Sequence, residues 1–132
     1  MFRTRLAALA LLLLPALPAA AENYTPDSNT AQAITGHIDL DDAGITFENG
    51  KHMKFGERVA DTLLYFDKPV AASVYRIAEP SDPVLLNGNS FCGQPVTYVA
   101  TWANGKDRIV IAFTGADVPK SDEGMCALYV YQ

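Results

Sequence analysis

The sequence predicts an all-β domain: a small antiparallel barrel or curled sandwich of about six to eight short strands, closed by one disulfide. Three observations lead there. From Gly36 onward, short apolar stretches alternate with clusters of Gly, Pro, Asn and Asp. Two of these stretches read as hairpins whose pairing can be argued from parity. The last apolar stretch begins at Cys126, and a bridge to Cys92 would curl the sheet back on itself.

The chain starts with Arg3 and Arg5, then an apolar run from Leu6, then Pro15 to Ala21 rich in Ala and Pro. A basic stretch, an apolar stretch and a small-residue cleavage site, in that order, predict a signal peptide over residues 1–21. The apolar run is shorter than the ~20 residues a spanning helix needs. The expectation is therefore export, to the periplasm or outside the cell, with no stable membrane insertion after cleavage. Residues 22–36, rich in Asn, Thr, Asp and Ser, predict a flexible lead segment. Residues 37–132 are left as a single β domain.

The first hairpin spans Ile45 to Phe55. A two-residue turn at Asn49-Gly50 would put the apolar residues of its two strands on opposite faces. A three-residue loop, Glu48-Asn49-Gly50, pairs Ile45 with Met53 and puts Ile45, Phe47, Met53 and Phe55 on one face. That predicts a type I turn with Gly50 at the left-handed bulge position. In the middle, 63–66 and 70–78 predict strands, 57–62 a helical turn, and 79–93 mostly loop with a short strand at 84–86.

The second hairpin spans Val96 to Phe113. A type I′ turn at Asn104-Gly105 pairs Ala100 with Ile109 and Tyr98 with Ile111, giving one strongly apolar face and one mixed face. In the last strand Cys126, Leu128 and Val130 alternate with Ala127, Tyr129 and Tyr131. If the tyrosines faced outward, they would form an exposed aromatic stripe.

The whole chain has 10 Lys+Arg, of which Arg3 and Arg5 leave with the signal, against 15 Asp+Glu. The remainder carries a net charge of −7. That balance argues against nucleic acid and anionic membrane surfaces, and favours encounter with a basic protein. Two cysteines in an exported chain predict a Cys92–Cys126 disulfide. Its closed loop of 34 residues gives a chain-entropy stabilisation of about 4 kcal/mol.

Catalytic patterns are poor. Gly88-Asn89-Ser90-Phe91-Cys92 approaches a nucleophile elbow, but Cys92 stands where the second Gly belongs, and the chain is too short for the surrounding α/β sheet. Asp39-Leu40-Asp41-Asp42-Ala43-Gly44 opens like a calcium loop, yet position twelve is Gly50 where a Glu is needed. His37 and His52 lie on neighbouring strands without the spacing of a four-ligand site. No phosphate loop or dinucleotide fingerprint occurs, and no cofactor is expected.

The leading expectation is a non-catalytic exported binding protein. Candidate contact residues are Trp102, Tyr129 and Tyr131, because Tyr and Trp are enriched at binding hot spots, with Asp41 and Asp42 as a charged rim. The plan of signal peptide, about a hundred residues and disulfide closure resembles the small periplasmic barrels that inhibit lysozymes, which are basic enzymes. The likeness is one of architecture, since that family's serine-glycine and tyrosine inhibitory signature is absent. The alternatives are a carrier of a small apolar ligand, and a metal-binding protein using His37 and His52.

Overall fold

A computed structural model describes residues 21–132, so the segment read as a signal peptide lies almost wholly outside the described residues. The strands are β1 (Glu22–Tyr24), β2 (Ile38–Asp41), β3 (Gly44–Phe47), β4 (His52–Ala60) and β5 (Leu63–Tyr65). They continue as β6 (Lys68–Val70), β7 (Ser73–Ser81), β8 (Val96–Asn104), β9 (Asp107–Phe113) and β10 (Met125–Tyr131). Eight form one antiparallel sheet in the order β1-β2-β3-β4-β7-β8-β9-β10, and β5 and β6 form a separate hairpin. No helix among the described residues is long and apolar enough to cross a membrane.

The sheet nearly closes into a barrel, and residues 22–36 do the closing. β1 pairs with β2. The chain then turns to the other edge, where Thr25 and Gln132 exchange backbone hydrogen bonds of 2.8 Å and Pro26 bridges Tyr131. A single π-helical turn follows at Ala31–Thr35, with Ala31 and Thr35 fully buried. This corrects the expectation of a lead segment outside the domain. Closing a barrel takes backbone hydrogen bonds, which a polar segment supplies as well as an apolar one, so composition gives no sign of it.

The first hairpin has the register that parity predicts. Phe47 N–H donates to Lys51 O, Ile45 pairs with Met53, and Gly50 sits at φ +87°. Ile45, Phe47, Met53 and Phe55 are all buried. β4 then continues to Ala60, so residues 57–60 are strand and not the expected helical turn. At the start of β3 the chain packs so closely against β4 that a side chain at Gly44 would collide with the Met53 carbonyl.

The second hairpin is displaced by two residues from the expected pairing. Trp102 pairs with Ile109, Ala100 with Ile111 and Tyr98 with Phe113. The turn is Gly105-Lys106, with Gly105 at φ +60° in the first central position, as a type II′ turn requires. A two-residue slide keeps every side chain on its face, so parity cannot detect it.

Two clusters form the core. Inside the barrel lie Ile38, Leu40, Ile45, Phe47, Met53 and Phe55 of β2–β4, packed on Tyr75, Val99, Val110 and Tyr129 of the opposite wall. Phe55 stacks on Tyr75 with centroids 4.4 Å apart, and Phe91 stacks on Tyr129 at 5.1 Å. Outside the barrel, Val74, Tyr98, Ala100, Trp102, Ile109 and Ile111 form a second cluster under Leu63, Tyr65, Val70 and Val118. The apolar face of the second hairpin is thus the outer one, covered by the β5–β6 hairpin and the segment before β10. Residues 82–95 fold over one end of the barrel and bury Leu85 and Phe91. Within them Val84 bridges Ser90 and Leu86–Gly88 form a 3-10 turn, where a short strand over 84–86 was expected. Cys92 and Cys126 form the expected disulfide, with Cα atoms 5.4 Å apart.

Candidate functional site

The aromatic residues expected at a contact surface are in the core. Trp102 is 5% exposed, Tyr129 2% and Tyr131 1%. Trp102 is roofed by Tyr65, whose ring meets it edge-on at 4.9 Å. Tyr129 donates to the Phe91 carbonyl at 2.6 Å, and the Tyr131 and Thr35 hydroxyls are bonded at 2.7 Å. Burial pushes the Tyr129 phenol up to about 12 and raises that of Tyr131 further. On β10 the tyrosine face points inward, and the aromatic stripe does not exist as a surface. The reason is size: large rings fill the barrel where the capping loop meets it, while Leu128 and Val130 pack half-buried on the outer cluster.

Asp41 ends β2 and Asp42 opens the β2–β3 turn, at the end of the barrel away from the capping loop. Asp41 Oδ1 accepts from the Ala43 and Gly44 N–H groups at 2.7 and 3.0 Å. Asp42 Oδ1 accepts from the Tyr75 hydroxyl at 2.7 Å, and burial followed by this bond raises the Tyr75 phenol. The two acids line a cavity of about 180 Å³ together with Tyr24, Tyr75, Thr101 and Arg108. This is the mouth of the barrel.

The histidines do not come together at a metal site. His37 Nδ1 lies 2.8 Å from Glu48 Oε1, and that hydrogen bond lowers the Glu48 carboxyl. His52 Nδ1 is bonded to Thr46 Oγ1 at 2.9 Å. Among the described residues no group of three or more His, Cys, Asp or Glu is placed to hold a metal. Ser90 lies in the capping loop beside an apolar groove along the disulfide, with both histidines bonded elsewhere.

Sequence reasoning missed the tip of the β5–β6 hairpin. Its turn residues, Phe66 and Asp67, both have positive φ, +48° and +64°, as a type I′ turn demands. Phe66 is 63% exposed. Of the three exposed large apolar side chains among the described residues, Leu64, Phe66 and Val84, two belong to this hairpin. The tip is braced from below. Phe66 N–H donates to Asp122 Oδ1 at 3.1 Å, Leu64 N–H to Lys120 O at 3.0 Å, and Asp122 N–H to Leu64 O at 2.9 Å. The Tyr65 ring packs between Phe66 and Trp102. A signal was available: Phe-Asp separates two three-residue runs by the length of a tight turn. Pro69 hid it, since proline is depleted from strands except at edges, which is where it sits.

No protein-family model matches the chain, and neither a curated protein nor a solved structure matches it.

Proposed function

We propose that this is an exported, non-catalytic binding protein that engages a basic protein partner through the tip of the β5–β6 hairpin. Phe66 carries the proposal. A bulky side chain in the left-handed region costs about 1–2 kcal/mol and persists only where the surroundings enforce it. Here the hydrogen bonds to Asp122 and Lys120 fix the backbone of the turn, and the result is an aromatic ring presented to solvent from a braced backbone. An exposed aromatic on a fixed backbone leaves only its side-chain rotation to be lost on binding, which suits a contact hot spot. Asp67 and Asp122 flank the ring, and the net charge of −7 after signal removal favours encounter with a basic surface. The proposed signal peptide and the disulfide support a periplasmic or secreted location. The barrel interior is filled by its own side chains, which leaves the apolar-cargo alternative without support there.

The test places a photo-crosslinking side chain at position 66 and, as control, at the exposed Asp39 of β2. Adducts are collected in the native envelope fraction and then with purified lysozyme as a basic-protein probe. A discrete basic-protein adduct from position 66 alone is expected. Equal labelling from both positions, or none from either, overturns the reading. Phe66→Gly relieves the positive φ, so it should raise stability by about 1 kcal/mol while abolishing the adduct partner's affinity.

A further inference from the structure

We propose that the mouth of the barrel binds a small zwitterion, a molecule of free amino-acid size carrying one carboxylate and one ammonium group. Two buried side-chain polar atoms lack a hydrogen-bond partner among the described residues: Thr101 Oγ1 and Arg108 Nε. Both line the same cavity. Thr101 is only 6% exposed, so its hydroxyl has little access to solvent. Leaving such groups unpaired is unfavourable, and native structures rarely do so without a reason.

The strand register makes the two groups convergent. Thr101 pairs with Val110, and Arg108 lies two residues from Val110 along β9. Val110 faces the barrel interior, so Arg108 shares that face. Diagonal neighbours of this kind lie about 7–8 Å apart at the backbone, within reach of an arginine. A carboxylate between them would accept from Arg108 Nε–H and the Thr101 hydroxyl. The ion pairs among the described residues join His37 to Glu48, Arg58 to Asp61 and Arg76 to Glu57, leaving Arg108 without a carboxylate. Its guanidinium lies 5.4 Å from the Tyr24 ring centroid, which holds the fork toward the cavity.

The rim has the opposite charge. Glu22, Asp41 and Asp42 line the same opening. One oxygen of each acid is engaged inside the protein, by Tyr24, the β2–β3 turn and Tyr75 respectively. The other oxygens are left to accept from a ligand. Three acids around one arginine disfavour a simple anion and favour a ligand whose ammonium end stays at the rim. At about 180 Å³ the cavity is smaller than the ~300 Å³ at which drug-sized sites begin. This site is separate from the hairpin tip and does not depend on it.

Calorimetric titration of the mature chain with a panel of free L-amino acids tests the proposal, with acetate and methylammonium as single-charge controls. Saturable binding of at least one amino acid by about 1 mM is expected, at least tenfold tighter than either control. Thr101→Val removes the unpaired hydroxyl at constant shape. It should weaken that binding about tenfold while the melting temperature stays level or rises. Asp42→Asn should narrow the gap between the amino acid and acetate. No saturation with any amino acid, acetate binding as tight as the amino acids, or full binding by the folded Thr101→Val protein would each overturn the proposal.

Discussion

Along β2, buried Ile38 and Leu40 flank exposed Asp39, and along β4 Met53 and Phe55 are buried on either side of exposed Lys54. Along β9, residues 109–113 are buried without a break, and along β8 so are residues 98–102. Both pairs of strands line one barrel and share its interior. They differ because the outer face of β7–β10 has a second layer, the β5–β6 hairpin and the segment before β10, and the outer face of β2–β4 meets solvent. One half of the barrel is therefore two-layered and the other three-layered. In the three-layered half both faces of the central strands are buried. The hairpin that covers it also presents Phe66, so the proposed contact ring stands on the most heavily packed part of the molecule.

Substitutions can break this contrast at its strongest point first. Trp102 joins the outer cluster to the covering hairpin, and Trp102→Ala should cost about 3–5 kcal/mol in denaturant unfolding. Position 66 crosslinking should fail in the same variant, because Tyr65 loses its support. Next come neighbouring pairs on the two halves. Ile111→Ala should cost about 2–5 kcal/mol and Val110→Ala about 2 kcal/mol, although they face opposite ways. On β4, Met53→Ala should cost about 2–5 kcal/mol and Lys54→Ala no more than about 0.5 kcal/mol. Similar costs for both members of the β4 pair would erase the distinction between the halves.

The smallest effect near neutrality, and one confined to the interior shared by both halves, is the response to alkali. The Tyr129 and Tyr131 phenols titrate higher in the folded protein than the ordinary value of 10.0. The folded state therefore holds these protons more tightly. Its advantage is fully present below pH 10 and is lost as pH rises through about 12. Unfolding midpoints should be flat from neutral pH to about 10 and then fall. Tyr129→Phe should flatten that fall, at the cost of the hydrogen bond to the Phe91 carbonyl.

Much of the architecture was legible because local chemistry enforces it. Asn49-Gly50 and the parity of Ile45, Phe47, Met53 and Phe55 leave one register in which all four share a face. The sequence holds only two cysteines, which leaves one possible intramolecular bridge. The second hairpin shows where this reasoning stops, since sliding it by two residues satisfies the same parity. The candidate sites were less legible. Thr101 and Arg108 looked like ordinary members of a mixed face, because only closure of the barrel turns that face inward. For the same reason the sequence left open whether Tyr129 and Tyr131 face outward.

The sequence by itself determined the all-β class, the disulfide, the first hairpin and the acidic charge balance. Each depends on residues close along the chain or on composition. Tertiary structure decided which face of each strand is inside, that residues 22–36 complete the barrel, and that Phe66 is held out in solvent. Those outcomes depend on backbone pairing between the two ends of the chain and on a covering layer formed by distant segments. Hydrogen bonds between main-chain groups are available to any non-proline residue, so side-chain identity carries little record of them.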